Sequence, residues 1–542
     1  MQQLFSILNQ LLSHRKASVF VVLLAVAARI IQLIFYLDSF FDTTFQVIAT
    51  QNLVNGHGIS TALVRPDNLS EVIYQPLNNW PPGYSLLLSP FYMATGYQYL
   101  PACFLLDVLA ATAIIFITRK ILMLLDVSLA VINIFTLLTG FFIYYFYYKS
   151  PADGASIAFF LAAVYFTLSV IKSNNKWLGK SVITGFCLIL CAGLKYLFFP
   201  VAFTIPVFLL LYGYKSGSTV AVNAAVLSFC IAAAGVAFIY LCQKNISGTG
   251  AYINASGRGF FPGHLLKLHP YIPAAFISTN TLNKLPENFA ASILDCLRIV
   301  HIMVYPVIIF IAARILFKPG KRNISLPAAF LLLALSISLA ISLVLVILSL
   351  LVDKEEISPG QWWTYVEDAR YYGVADILLH LSVFLLFSHY RHKWKGISRT
   401  VLFIFPFLLL PEATRGYAFT AKRVINLGKE KYYWQQELGF QRYAAGIIQA
   451  KQDSLKVTVT VVSGSLYYAN YRTSLHQQAP VLEDVASLNN PASLRSKEPV
   501  LLLAIIREDR REAFKPFISF HRTELAGQYN GFYFYSLYVT PN

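Results

Sequence analysis

Charged side chains are scarce in this chain. Asp, Glu, Lys and Arg make up 13% of its 542 residues, about half the share that is usual in a water-soluble protein. Hydrophobic residues make up 57%, and the mean hydropathy is +0.58. So few charges cannot cover the water-facing surface of a soluble protein of this length, and the composition therefore predicts an integral membrane protein.

Cysteine is also sparse, and no pattern in the chain uses it. The six cysteines lie in or beside apolar segments: Cys103, Cys187, Cys191, Cys230, Cys242 and Cys296. The absence of a Cys-x-x-Cys pair and of a nearby histidine cluster argues against a disulfide framework and a thiolate metal site.

The region after residue 414 also lacks a Gly-rich phosphate loop and a nucleophile elbow, so we expect it to bind an acceptor or to act as a scaffold.

Acidic residues are outnumbered by basic ones, 26 against 43, which gives a net charge of +17. An excess of this size could indicate nucleic-acid binding. However, the basic residues occur in short clusters between apolar runs instead of along one face or tail, and this is the distribution of membrane topology signals. We therefore expect membrane lipids, and no nucleic acid, as partners.

Eleven apolar segments predict membrane spans. They lie near 17–37, 101–118, 128–148, 154–172, 181–194, 197–213, 219–242, 296–316, 325–352, 376–390 and 400–413. If each crosses once, the Lys and Arg clusters fall on one side, which is then the cytoplasm, while the loops 38–100, 243–295 and 353–375 face outward. The first segment follows Arg15 and Lys16 without a small-residue cleavage site, so we expect a retained anchor.

The composition becomes ordinary after residue 413, which predicts a membrane domain over 1–413 and a second domain over 414–542. In the second domain, 428–451 and 507–517 are helix candidates, 457–462 and 499–506 are strand candidates, and Asn530-Gly531 marks a hairpin. The expected fold class is an α-helical polytopic membrane protein of about eleven transmembrane helices with a small C-terminal α/β extracytoplasmic domain.

The first outer loop contains two motifs. The stretch 38–60, DSFFDTTFQVIATQNLVNGHGIS, places Asp38 and Asp42 where the first span meets water. Each acid is either a helix cap or a functional group. Further along, NNWPPGYSLLL predicts a rigid elbow at Pro82 followed by an interfacial helix, and its Trp80 and Tyr84 also fit an aromatic belt at the membrane surface.

Three further positions carry charge at or near the membrane. Asp153 lies in the turn KSPADG and is either a cap or an acid facing the outer side. Lys195 lies in the apolar stretch CAGLKYLFFP, where it either reaches the interface or binds a phosphate. Arg370 and Tyr371 follow WWTYVED; the guanidinium either binds a phosphate bidentately or pairs with an acid just before it, Glu367 or Asp368.

Together these motifs resemble polytopic glycosyltransferases of the GT-C class, the relatives of protein mannosyltransferases and lipid A aminoarabinose transferases. The resemblance rests on the 42–58 signature, the Pro-Pro-Gly elbow, the acidic residue Asp153, the basic residue Lys195 and the pair Arg370-Tyr371. Thr43 departs from the family pattern, which usually has Glu at this position. The resemblance covers 17–215 well and 360–390 loosely. It implies that Asp42 is the catalytic base and that Asp153, Lys195, Arg370, Tyr371, Trp80 and Pro82 bind substrate.

The expected function is transfer of a sugar from a polyprenyl-phosphate donor to a protein, lipid or glycan acceptor. The enzyme would lie in the inner or plasma membrane with its site on the outer face. We predict no required cofactor or metal, although Asp153 could hold a divalent cation. A lipid-linked glycan polymerase or ligase using the loop 243–295, a transporter or flippase of lipid-linked sugars, and a receptor with a decayed site remain alternatives, although no internal repeat supports a transporter.

Overall fold

A computed structural model describes most of the chain. The described residues are 12–36, 41–78, 80–140, 151–247, 259–262, 324–352, 369–390, 409–426, 433–463, 479–482 and 484–541, with isolated positions between 286 and 296. The chain divides into two compact units. The first comprises Met1–Leu33, Leu106–Lys244 and Thr249–Leu427, and the second comprises Ile34–Leu105, Asn245–Gly248 and Gly428–Asn542.

Helices account for most of the described chain, as its long apolar runs predict. They cover Arg15–Tyr36, Phe41–Val54, Gly83–Ala94, Tyr99–Leu124, Leu129–Thr139, Pro151–Lys172, Trp177–Leu194, Phe198–Val201, Thr204–Ser216, Thr219–Ser247, Leu326–Leu350, Ala369–Tyr390, Leu410–Ile425, Tyr433–Leu455 and Lys515–Ile518. Within the described residues, 8 helical segments are long and apolar enough to cross a membrane. The protein is therefore an integral, multi-pass membrane protein.

The eight segments correspond to eight of the eleven predicted spans. The predicted span 128–148 contains the shorter helix Leu129–Thr139, and residues 141–150 lie outside the described part of the chain. The predicted spans 296–316 and, for the most part, 400–413 also lie outside it. Eight of the predicted spans are thus confirmed among the described residues, and the other three stay predictions.

Two of the membrane helices approach each other closely at glycines. A Cβ added to Gly185 of the Trp177–Leu194 helix would lie 2.7 Å from the Cβ of Ile231 in the Thr219–Ser247 helix. Ile189 and Gly235 meet in the same way with the roles of the two helices exchanged. Glycine has no side chain to hold the two backbones apart, so the helices can approach closely. Close van der Waals packing of this kind stabilises helix pairs in lipid.

The second unit is built on a seven-stranded sheet in the order β2-β1-β6-β5-β7-β9-β8. Its strands are β1 Ser60–Arg65, β2 Asn68–Pro76, β5 Thr458–Ser463, β6 Val481–Leu482, β7 Val500–Arg507, β8 Thr523–Tyr529 and β9 Phe532–Val539; β3 Gly259–Phe260 pairs with β4 Leu351–Val352 in the first unit. Strands β1, β6, β5 and β7 are mutually parallel, and antiparallel partners lie at both edges. The small C-terminal α/β region predicted from the sequence is therefore present.

Strand β7 explains the continuous apolar run in the sequence, because both of its faces are buried. Leu502 and its even-numbered neighbours pack into one core cluster, whereas Leu501 and Leu503 pack into another with Phe440 of the Tyr433–Leu455 helix. A strand covered on both faces has no polar side to alternate with. The predicted charged helix at 507–517 is instead two 3₁₀ turns, Glu508–Arg510 and Glu512–Phe514, before the short helix Lys515–Ile518.

Residues 60–76 of the loop 38–100 contribute to this sheet, which the sequence did not predict. Strand β1 pairs in parallel with β6, with Leu63 opposite Val481, and Val64 and Leu69 lie in the same core cluster as Val500. The predicted domain boundary between residues 413 and 414 stays a prediction. The compact units show that 34–105 packs with the C-terminal region.

Candidate functional site

Three residues singled out in the sequence meet in the first unit. Lys195 Nζ donates a short, charge-assisted hydrogen bond to Asp153 Oδ1. The same ammonium lies over the ring of Tyr371, 4.4 Å from its centroid. The side chain of Asp153 is 2% exposed and that of Lys195 is 17% exposed. The sequence predicted each residue separately as a substrate ligand, and the structure joins them into one cluster.

Helix ends bring these residues together. Asp153 lies in the first turn of the Pro151–Lys172 helix, which begins at a proline whose missing N–H costs nothing there. Lys195 directly follows the Trp177–Leu194 helix, with an extended backbone at φ −153° and ψ 125°. The two helices pack side by side and are joined by a short turn, so the second helix ends near the start of the first. Tyr371 lies in the first turn of the Ala369–Tyr390 helix.

The ion pair explains how a largely buried lysine is tolerated here. An ammonium that leaves water loses hydration, and a carboxylate at hydrogen-bond distance with an aromatic face beside it recovers part of that loss. Neither alternative suggested for Lys195 in the sequence, reaching the interface or binding a phosphate, included this partner. The signal was available, because Asp153 and Lys195 flank two consecutive helices on the same side.

Arg370 and Asp42 are placed by their backbones alone. Arg370 is the second residue of the Ala369–Tyr390 helix and directly precedes Tyr371. Asp42 is the second residue of the Phe41–Val54 helix, which belongs to the second unit. The side chains of both residues lie outside the part that the structure describes. Their predicted roles as phosphate ligand and base stay predictions.

The Pro-Pro-Gly elbow forms as predicted. Pro82 is the N-cap of the Gly83–Ala94 helix, with φ −72°, and Trp80 stacks on Phe45 with ring centroids 5.4 Å apart. Ser85 Oγ donates to the Gln46 carbonyl oxygen at 2.9 Å, which holds the elbow helix against the Phe41–Val54 helix. Tyr84 is fully buried. Tyr84 is therefore a core residue and not part of an interfacial aromatic belt.

Two further acids lie inside membrane helices and were not singled out in the sequence. Asp107 and Asp376 are each 1% exposed, and Asp376 has no hydrogen-bond partner for either carboxyl oxygen among the described residues. Ionisable residues are costly inside a membrane and commonly mark functional positions. Their presence within otherwise apolar runs was the signal that could have identified them.

Comparison with known proteins finds similar solved structures but no similar sequence. No protein-family model matches the chain, and no curated protein matches it in sequence. Among solved structures, the chain is similar to ArnT from Cupriavidus metallidurans in the apo state, with 11% identity and a TM-score of 0.42. It is also similar to the same protein bound to undecaprenyl phosphate, with 11% identity and a TM-score of 0.38. Each match covers 96% of this chain and 97% of the other.

Proposed function

We propose that this protein is a membrane glycosyltransferase that moves a sugar from a polyprenyl-phosphate donor to an acceptor on the extracytoplasmic side. The observation that carries the proposal is the buried cluster of Lys195, Asp153 and Tyr371, which holds a cation at the ends of membrane helices. The resemblance of the sequence motifs to GT-C enzymes supports the same reaction. A buried cation at the ends of membrane helices is suited to an anion that arrives on a lipid.

The geometry of the cluster suits a phosphate. The ammonium of Lys195 has three N–H donors, of which Asp153 accepts one and Tyr371 faces the charge with its ring. The remaining donor capacity is available to a phosphate oxygen. Because Asp153 already balances the charge of Lys195, the phosphate needs a second cation, and we propose Arg370, the neighbour of Tyr371 in the chain, for that role.

The proposed reaction is a single displacement. The acceptor hydroxyl attacks the anomeric carbon, the bond from that carbon to the phosphate oxygen breaks, and the phosphate leaves on its polyprenyl carrier. Asp42 takes the proton of the hydroxyl as general base. Lys195 and Arg370 stabilise the charge that develops on the phosphate. Because the leaving group is a single phosphate, we propose that Lys195 and Arg370 suffice without a metal. Inversion at the anomeric carbon follows from the resemblance.

The proposal is tested by transfer of radiolabelled sugar from polyprenyl-phosphate sugars in membranes that contain the protein. Asp42→Asn keeps the size of the side chain and its hydrogen bonding but removes the basic group. We expect it to lower turnover by about 10² to 10⁴, the usual contribution of a general base. The amount of folded protein in the membrane should not change.

Asp38→Asn is the matched control, because Asp38 shares the loop and the charge but lies outside the motif. Near-normal transfer by Asp38→Asn together with loss in Asp42→Asn is the expected pattern. Near-normal transfer by Asp42→Asn would remove Asp42 as the base. Absence of transfer by the wild type from every polyprenyl-phosphate sugar would contradict the proposed function itself.

A further inference from the structure

A cleft in the second unit lies outside the site described above. It has a volume of about 450 Å³ and lies between the end of the Phe41–Val54 helix, strands β1 and β2, and the turn after the Gly83–Ala94 helix. Its main lining residues are Asn52, Asn55, His57, Tyr74, Tyr92 and Tyr97. Small-molecule sites in proteins commonly occupy about 300–1,000 Å³, so the cleft has room for a ligand of one or two rings.

Partly exposed aromatic rings line the cleft. His57 and Tyr74 stack with their centroids 3.9 Å apart and their planes at 13°, and Tyr74 remains 40% exposed. Tyr97 is 55% exposed and meets the buried Tyr92 edge to face at 5.6 Å. Rings of this size usually contribute to a fold through burial. Rings left accessible together in one concave surface are suited to stacking on a ligand.

The backbone at Tyr97 is strained, which is a second and independent observation. Tyr97 has φ +63° and follows Gly96 at φ +66°. A bulky side chain rarely adopts this left-handed conformation, and such residues cluster at functional sites. The hydrogen bond from Tyr97 N to the Tyr92 carbonyl oxygen, 2.9 Å long, closes the turn. Because the ring is more than half exposed, core packing does not account for the strain.

The polar groups of the cleft are the amides of Gln51, Asn52 and Asn55, the tyrosine hydroxyls and the imidazole of His57. Asn52 is 3% exposed, and its Nδ2 donates to the Ser60 carbonyl oxygen at 2.7 Å, which fixes the orientation of this amide. Asn55 is exposed at the rim. Among the described residues that line the cleft, none is Asp, Glu, Lys or Arg. An amide offers both donors and acceptors, so the lining favours an uncharged ligand that is rich in hydroxyl groups.

We propose that this cleft binds a hexose or a disaccharide unit of a glycan. A pyranose ring presents an apolar C–H face, which fits the faces of Tyr74 and Tyr97, and a rim of hydroxyl groups, which fits the amides of Asn52 and Asn55. The proposal rests on the proposed function in one respect, since it names a glycan as the class of acceptor. The sequence left protein, lipid and glycan acceptors open.

The test measures binding of free sugars to the full-length protein without donor lipid. The protein is purified in a detergent with an amine-oxide head group, because maltoside detergents would themselves offer a disaccharide. Saturation-transfer NMR with cellobiose, maltose, lactose and chitobiose at millimolar concentration reports binding. We expect at least one of these sugars to bind the wild type. Tyr74→Leu and Tyr97→Ala should each weaken its affinity about tenfold.

Tyr538→Leu is the matched control. Tyr538 lies in β9, is 39% exposed, close to the 40% of Tyr74, and does not line the cleft. Its replacement should leave sugar binding unchanged, and equal melting temperatures show that all variants fold. The proposal is overturned if no disaccharide binds the wild type, if the cleft variants bind as the control does, or if a serine-containing peptide binds the cleft and no disaccharide does.

Failure of the cleft proposal can be distinguished from failure of the transferase proposal. Sugar binding is measured without donor, and the transfer assay is measured separately. Disaccharide binding without transfer from any donor would leave the cleft as a glycan site on a protein of another function. Transfer without disaccharide binding would overturn the cleft proposal alone.

Discussion

At the scale of single residues, the pairing of Lys195 with Asp153 decides how both must be tested. A substitution of Lys195 removes a candidate phosphate ligand and also leaves a carboxylate that is 2% exposed without its cation. Loss of donor binding in a single variant could therefore reflect misfolding. The two effects separate when both members of the pair are changed together.

We predict that Lys195→Met destabilises the protein by about 3–5 kcal/mol, because it removes one partner from a buried ion pair. The double variant Asp153→Asn/Lys195→Met should regain most of that stability, since no buried carboxylate is left without its lysine. Donor affinity should remain low in both variants. Thermal unfolding in detergent and equilibrium binding of a polyprenyl-phosphate sugar are the two measurements.

Lys172 and Asp126 supply the control, as a second Lys–Asp pair in the same unit. Their charged atoms are 2.9 Å apart, but the side chains are 39% and 76% exposed. An exposed pair contributes about 0–1 kcal/mol, so Lys172→Met should change neither stability nor donor binding noticeably. Normal donor affinity in the double variant Asp153→Asn/Lys195→Met would show that Lys195 has a structural role only.

At the scale of elements, strands β1 and β2 of the loop 38–100 are part of the same sheet as the C-terminal strands. Leu69 of β2 is fully buried in the cluster that includes Val462, Leu482 and Val500, and the Leu69 carbonyl oxygen accepts a 3.2 Å hydrogen bond from Thr460 Oγ1. Packing across such a distance in sequence makes the sheet depend on both segments. The hairpin of β1 and β2 also carries Tyr74, which lines the cleft, so the position of Tyr74 depends on the sheet.

We predict that Leu69→Ala destabilises the sheet of the second unit by about 2–5 kcal/mol, the usual cost of a large-to-small change in a core. Hydrogen exchange of the amides of β5 and β7 should accelerate, although neither strand is near residue 69 in sequence. Leu525→Ala in β8 is the control, because Leu525 is 57% exposed. Unchanged protection of β5 and β7 in the Leu69 variant would contradict the shared core.

At the scale of the whole molecule, the Lys and Arg clusters predict which parts share a side of the membrane. The loop 38–100, the loop 353–375 and the C-terminal region should all be extracytoplasmic. The turn 173–176 between two membrane helices should be cytoplasmic. The proposed mechanism depends on this prediction, because it assigns Asp42, Arg370 and Lys195 to the same reaction.

The prediction is checked with single cysteines in a cysteine-free background and a membrane-impermeant maleimide on sealed vesicles. Glu71→Cys and Glu498→Cys are exposed positions in the second unit, and Asn174→Cys is exposed in the turn. Ser358→Cys samples a loop outside the described residues. We expect Glu71, Ser358 and Glu498 to react from one side and Asn174 from the other. Labelling of Ser358 and Glu498 from opposite sides would contradict the proposal that both parts face the same side of the membrane.

The sequence by itself determined the membrane class, most of the helices and several local features. Length and hydrophobicity fix a membrane helix without reference to any partner, because the backbone must bond internally in lipid. Asn530-Gly531 forms the predicted hairpin turn, with φ +47° and +76°, because few other residue pairs adopt that backbone. The Pro-Pro-Gly elbow is also determined by its own residues, because proline fixes its backbone φ angle.

Only the tertiary structure decided which distant segments meet. The pairing of β1 with β6 joins positions more than 400 residues apart in sequence, such as Leu63 and Val481, and a strand's own pattern does not name its partner. The ion pair of Asp153 with Lys195 and the stacking of His57 on Tyr74 depend on how helices and strands pack. Residue type indicates what chemistry a side chain can perform, whereas packing decides what lies within its reach.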